Sequence, residues 1–262
     1  MRLSDLQRRI QAQPVGLLEL FPNALVAYSL MSLKRSTTNV VRVRRSSDNS
    51  ELDFKAKQII DGTLSIWVGA GNNGLVTIIY DQGPGNFNMS QTNPTRQGIL
   101  VSNGIVNMLN GKPVILENDD NTGYISNYAP NGGSSVKNVF FVGKNSGQSI
   151  LFGGLSNSDF ALVSQQGSGG NAFQNVTFSQ AKLNGSLSGL GDRNFVFNAT
   201  VNQFILSIDL VFNFSSNILS LGYTFTNPLN FGMFAFQELV FFGDTQNKLE
   251  KQQEINSRYN VF

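Results

Sequence analysis

The stretch Leu75-Val76-Thr77-Ile78-Ile79-Tyr80-Asp81-Gln82-Gly83-Pro84-Gly85-Asn86 decides the fold class. Its first six residues form a short, nearly continuous apolar run, the pattern of a buried strand. Gly83, Pro84, Gly85 and Asn86 then hold a sharp turn. This loop has neither the spacing of a phosphate-binding loop nor the lysine that would follow one, so no nucleotide role is read from it. Upstream, Val40-Val41-Arg42-Val43-Arg44-Arg45 has a β-branched core with Arg42 and Arg44 at alternate positions. Downstream, candidate strands cover 137–143, 149–152, 160–164, 173–178, 194–201, 204–213, 218–224 and 236–242. Between them lie Asn131-Gly132-Gly133, Asn145-Ser146-Gly147, Gly167-Ser168-Gly169-Gly170 and Asn184-Gly185, all turn chemistry. Strands spaced about ten residues apart predict an antiparallel sandwich rather than βαβ units.

Composition agrees. Among 262 residues, 40% are apolar and 14% charged, with 31 Asn and 26 Gly. So few charges leave the surface to neutral polar groups, and so much Asn and Gly implies many tight turns. The absence of Cys and His excludes disulfides, thiolate and imidazole metal sites, thiol nucleophiles and the Ser-His-Asp triad. The 21 Phe demand a large core and argue against disorder. A net charge of +2 gives no reason to expect nucleic acid.

The two ends differ from the middle. Ser4 and Gln7 have capping-box spacing, and Leu3, Leu6 and Ile10 share one helical face until Pro14. Leu17, Leu18 and Phe21 follow as a second apolar cluster. Residues 1–22 therefore read as an arm, with 23–262 as the sandwich. The arm either packs back on its own domain or docks, through Leu3, Leu6, Ile10, Leu17, Leu18 and Phe21, onto a partner. At the other end, Asp244 can cap a helix running to Tyr259, with Leu249, Ile255 and Tyr259 inward. The start has no apolar core of signal-peptide length and no run suits a membrane span, so synthesis in a cytoplasm is expected.

Arg42, Arg44 and Arg45 form a basic cluster that either pairs with Asp48, Glu51 and Asp53 or offers an anion patch. Carboxylates are the main acid/base groups left; Asp81 follows the buried strand, and Asp119-Asp120 sits in a polar loop. With Asn121 that pair could supply oxygen ligands to calcium, a weak signal. Trp67, Tyr124, Tyr128 and Tyr223 could stack on sugars. The glycan-binding candidates are accordingly Trp67, Arg42, Arg44, Asp81, Gln82, Asp119, Asp120 and Tyr124.

Three segments carry a resemblance: Ala27-Tyr28-Ser29-Leu30 with Val41 to Asp48; Leu75 to Gln82 with Gly83, Gly85 and Asn86, followed by Leu109-Asn110-Gly111-Lys112-Pro113; and Gln237-Glu238-Leu239-Val240-Phe241-Phe242 with a closing helix ending Ser257-Arg258-Tyr259. Together they resemble the catalytic domain of fungal α-L-arabinofuranosidase B and related domains of bacteriophage structural proteins, over about residues 24–262. The resemblance implies an all-β, antiparallel two-sheet jelly-roll sandwich of concanavalin A type, here with an N-terminal helical arm and a short C-terminal helix. In that family a Tyr-Asp-Gln-Ser-Gly-Asn-Gly-Asn element helps shape the fold and the sugar cleft; Pro84 and Phe87 interrupt it here. The family's vicinal cysteines are absent. It uses a Glu nucleophile in a central strand and an Asp acid in a loop before the penultimate strand. Around 146–154 this sequence offers Ser149, and around 221–232 Thr224, Thr226 and Asn227. Residues 139–158 and 210–237 contain no Asp or Glu at all.

From this, the expectation is a non-catalytic virion structural protein of a bacteriophage, in a tail, fibre, baseplate or head decoration. It would join other virion proteins through its arm, form a homo-oligomer and bind host-surface glycan. No catalytic residue, cofactor, metal, nucleic acid or membrane span is expected. Two alternatives stand beside it: a divergent glycoside hydrolase of arabinofuranosidase type using Asp81, Asp119 or Asp120, and a structural spacer without a ligand.

Overall fold

The structure, a computed structural model, describes residues 15–36, 38–118, 122–129, 136–145, 149–154, 161–164, 170–174, 178–187, 192–210, 218–222 and 235–262. The chain enters through helix α1 (Leu17–Leu20) and strand β1 (Ala24–Ser29). Next come β2 (Asn39–Arg45), β3 (Glu51–Lys55), helices α2 (Ala56–Ile60) and α3 (Thr63–Val68), β4 (Gly74–Ile79) and β5 (Met89–Ser90). Short hairpins follow: β6 (Ile99–Ser102) with β7 (Ile105–Val106), and β8 (Met108–Leu109) with β9 (Lys112–Pro113). Then come β10 (Tyr124–Ser126), β11 (Asn138–Lys144), β12 (Ser149–Gly153), β13 (Ala161–Ser164) and β14 (Phe173–Gln174). The chain closes with β15 (Phe178–Leu183), β16 (Ser186–Leu187), helix α4 (Arg193–Ala199), β17 (Phe204–Leu210), β18 (Leu219–Leu221), β19 (Ala235–Phe242) and helix α5 (Lys248–Tyr259).

Apart from β8 and β9, which pair as a separate two-stranded sheet, these strands make two antiparallel sheets. The smaller has the order β1-β19-β11-β17-β15-β16; the larger runs β14-β13-β12-β18-β10-β5-β4-β2-β3, with β6 and β7 branching from β4. The apolar residues of both inner faces meet in one core, where Phe141 lies 6.2 Å from Phe152 and 5.7 Å from Phe204, centroid to centroid. A second core lies on the outer face of the smaller sheet. There Phe140, Val142, Ile205, Val240 and Phe242 are covered by Leu17 of α1 and by Ile255 and Tyr259 of α5. Strands β17 and β19 are therefore buried along their whole length, and the polar residues they carry, Ser207, Asp209, Gln237 and Glu238, are buried with them. The expected two-sheet, jelly-roll-like sandwich is the fold observed.

The Asn abundance has a local cause. Asn103-Gly104, Asn110-Gly111 and Asn184-Gly185 have positive φ at both positions and close the hairpins β6–β7, β8–β9 and β15–β16. Such two-residue turns need φ > 0 twice, which Asn and Gly reach at least cost.

Two elements differ from expectation. Residues 194–201 are not a strand: α4 starts at Arg193 because the Asp192 carboxylate caps it, accepting from Phe195 N at 3.0 Å. The last helix begins at Lys248, not beside Asp244. The Asp244 carboxylate instead accepts from Asn23 Nδ2 at 2.8 Å, Gln246 N at 3.0 Å and Lys251 Nζ at 2.7 Å. The inward face of α5 is consequently Lys251, Gln252, Ile255 and Tyr259, while Leu249 is 59% exposed.

The second half of the arm also has a definite place. Leu17 is fully buried in the outer core, and Leu18 and Phe21 pack against it. These three residues pack on the chain's own domain, Leu17 fully and Leu18 and Phe21 in part, the first of the two roles expected for the arm. Leu3, Leu6 and Ile10 lie outside the described residues.

Candidate active site

The loop after β4 joins the two sheets. Tyr28 of β1 bridges to Asp81, and Gln82 N donates to Ala27 O at 2.8 Å. Asp81 organises the loop: its carboxylate accepts from Ala27 N and Gly83 N, each at 2.8 Å, and from Phe87 N at 3.0 Å. Its own N–H donates to Asn88 Oδ1 at 3.0 Å. Burial pushes the Asp81 carboxyl up, against the pull of these three backbone donors. Gln82 is equally committed, with Oε1 accepting from Leu33 N and Nε2 donating to Ser29 O and Met31 O. Below the loop, the Phe87 carbonyl accepts from the Tyr28 and Ser126 hydroxyls.

Two adjoining clefts flank this fixed loop. The first, of about 480 Å³, is lined by Ile78, Asn86, Asn88, Ser90, Ile125, Ser126, Asn127 and Ile218. It lies on the outer face of the larger sheet. Cross-strand pairing sets its floor, since Ile78 of β4 faces Ser90 of β5, and Ser90 faces Ile125 of β10. The same row continues outward to Arg42 of β2 and Asp53 of β3. The second cleft, of about 310 Å³, lies across Phe87 and shares Asn127 with the first; Leu25, Pro84, Gly85, Tyr128 and Ala129 complete it. Among the described residues, no carboxylate lines either cleft.

The other sequence candidates fall as follows. Arg42 flanks the first cleft but is engaged, donating to Asp53 through Nε at 2.7 Å and Nη2 at 3.2 Å. That guanidinium, with the Tyr80 hydroxyl donating at 2.8 Å, holds the Asp53 carboxyl below its usual range. Arg44 donates to Gln97 Oε1 and Asn49 Oδ1. Arg45 pairs with Asp48 and lies 4.9 Å from the Trp67 ring, whose far side packs on Phe54. Arg42 and Arg45 are thus ion-paired, while Arg44 is held by neutral amide oxygens. Tyr124 is fully buried, its hydroxyl donating to Val76 O and accepting from Gly98 N. Asp119 and Asp120 lie outside the described residues. Among the described residues, no group of three acidic side chains could hold a metal ion, and no helix is long and apolar enough to cross a membrane.

The amide rim of the first cleft was not singled out from the sequence. A partial signal existed: Asn88 and Ser90 stand two residues apart, and in extended chain such residues face one side, whereas Asn86 reaches the rim from a turn with φ 54°. Their Asn content reads first as turn chemistry, which hid it.

No family model and no curated protein matches the sequence. Solved structures do. A GH54 α-L-arabinofuranosidase soaked with a cyclic sulfate inhibitor matches with a TM-score of 0.58 and 15% identity, over 92% of this chain and 65% of that one. The fold resembles that of the GH54 α-L-arabinofuranosidases. A Glu-to-Gln variant of such an enzyme, soaked with 4-nitrophenyl α-L-arabinofuranoside, matches with a TM-score of 0.56 at 15% identity. An arabinofuranosidase complexed with arabinofuranosyl-α-1,2-xylobiose matches with a TM-score of 0.58 at 14% identity. The chain spans less than two thirds of the length of these proteins, 64–65%.

This finding corrects the expected function. The structures named are glycoside hydrolases and none is a virion component, so the non-catalytic virion protein, with its virion partners, gives way to the hydrolase alternative. With no Asp or Glu in 139–158 or 210–237, the carboxylates of such a hydrolase would have to stand elsewhere in the chain.

Proposed function

We propose that this chain is a divergent glycoside hydrolase of arabinofuranosidase type, acting on a glycoside seated on the outer face of the larger sheet. The observation that carries the reading is the open cleft on a fold that matches arabinofuranosidases over 92% of the chain. Its aliphatic floor of Ile78, Ile125 and Ile218 suits the C–H face of a sugar ring, and its rim of amides and hydroxyls suits the ring's hydroxyl groups. Glycoside hydrolysis needs two carboxyl groups about 5–10 Å apart, one as acid and one as nucleophile or base. Asp81 is assigned to positioning, because both its oxygens are committed to backbone N–H groups. The chemistry is assigned to Asp119 and Asp120, which stand a few residues before β10 in the sequence.

Release of 4-nitrophenol from 4-nitrophenyl α-L-arabinofuranoside by the full chain tests this. Turnover above buffer is expected, falling at least about 100-fold in the Asp119→Asn/Asp120→Asn variant with an unchanged melting temperature. A folded chain that releases nothing from furanosides or pyranosides would overturn the reading.

A further inference from the structure

The two clefts differ in chemistry while sharing a wall. In the first, the Asn86, Asn127 and Ser90 side chains stand at the surface of a wholly neutral, polar rim. In the second, Leu25, Pro84, Phe87, Tyr128 and Ala129 present apolar surface, with Asn127 at the junction. The apolar wall is built in. The Phe87 ring lies over Gly85, where an added Cβ would sit 2.1 Å from a ring carbon, and its other contacts include Tyr128 at 5.3 Å between centroids. Phe87 N is meanwhile held by Asp81, and Phe87 O by Tyr28 and Ser126. The ring thus stands as a fixed apolar wall of the second cleft, which meets the first at Asn127.

We infer that these clefts form one two-part site whose ligand is an uncharged glycoside carrying an apolar, aromatic-sized aglycone, the sugar on the amide side and the aglycone against Phe87, Tyr128 and Ala129. This rests on the proposed function and narrows it. No charged side chain lines either part among the described residues, so sugars bearing carboxylates or phosphates find no partner there. A volume of about 310 Å³ admits a single ring system.

The test is binding, measured by calorimetry on the full chain, with methyl and 4-nitrophenyl thio-α-L-arabinofuranosides, which separate binding from turnover. The aryl glycoside is expected to bind at least about tenfold tighter, a difference of about 1.4 kcal/mol. Ala129→Trp, which fills the second cleft, should bring the two to parity and leave the methyl glycoside unaffected. Phe87→Leu, which removes the ring but keeps the residue apolar, provides a second variant should the tryptophan disturb folding. Equal affinities in the wild type, or an aryl preference that survives both variants, would overturn the inference while hydrolysis, if present, kept the reading beneath it. No binding of either compound by a folded chain would overturn both.

Discussion

Asp81 shows how a residue that resembles a catalytic acid is spent on structure. It is 7% exposed and receives three backbone N–H groups, so its two oxygens replace a whole turn of missing backbone partners. Asp81→Asn puts an NH2 group against N–H donors, and leaving buried donors unsatisfied costs about 1–3 kcal/mol. The melting temperature should fall by roughly 3–10 °C, at about 2–4 °C per kcal/mol for a chain of this size. A variant that keeps its melting temperature and loses turnover would instead make Asp81 a catalytic group. Asp53 gives the opposite case, a partly exposed carboxylate held ionised by Arg42 and Tyr80. Its folded pKa lies below the unfolded value, so the stability it contributes is present above about pH 4 and is lost as pH falls through the folded pKa. Asp53→Asn should therefore cost about 0.5–1 kcal/mol at neutral pH, given the exposure of the pair, and the gap to wild type should close toward pH 2. Urea titrations at pH 7, 4 and 2.5 read this directly; a gap that widens in acid would contradict it.

The helices of the outer layer act as covers for the smaller sheet, and their cost is read face by face. Ile255 is fully buried in the outer core, whereas Leu249 is mostly exposed. Ile255→Ala should cost about 2–5 kcal/mol, and Leu249→Ala should stay within about 0.5 kcal/mol. Leu17→Ala in α1 should match Ile255→Ala in size, because Leu17 fills the same core. Chemical denaturation of the three variants separates these outcomes, and a harmless Leu17→Ala would mean the arm does not cover the sheet. What the sequence reveals of these elements follows the physics that forms them. Strands β4 and β11 are legible because burial makes most of their length apolar, and β19 through its closing Leu239-Val240-Phe241-Phe242. Helices α2 and α3, five and six residues long, are too short to establish a helical period, and the sequence gives no sign of them. Helix α4 misleads because Phe195, Val196 and Phe197 favour strands, and the Asp192 cap prevails over that preference. The Asp81 loop is visible as a motif, but its role in tying the loop to β1 is not: of the carboxylate's three donors, Gly83 N and Phe87 N are local, whereas Ala27 N of β1 is far away in sequence. The cleft is less legible still, since β4, β5 and β10 meet only through sheet pairing.

Across the whole molecule, three layers distribute stability unevenly. The smaller sheet lies between the larger sheet and the α1–α5 cover, and its central strands β11, β17 and β19 have apolar contacts on both faces. Among the described residues the larger sheet contributes to one core only, and its outer face carries the cleft. Its edge strand β3 pairs with β2 alone among the described residues, so one row of its backbone groups lies outside the ladder. Local opening follows such differences, because opening a strand requires loss of the contacts that cover it. Amide hydrogens of β11, β17 and β19 should therefore exchange last, near the global unfolding limit, and those of β3 and β16 first. Within the larger sheet, β4 should outlast β5, since Val76 and Ile79 are fully buried while β5 is a two-residue strand with Ser90 at the surface. If a glycoside occupies the cleft, its contacts at Asn86, Asn88 and Ser90 stabilise this weaker layer, so slowed exchange should be confined to β5, β10 and the Asp81 loop. Exchange followed by mass spectrometry with and without 4-nitrophenyl thio-α-L-arabinofuranoside measures both patterns. Protection spread over the smaller sheet instead would place the ligand on the helical side of the molecule and away from the cleft.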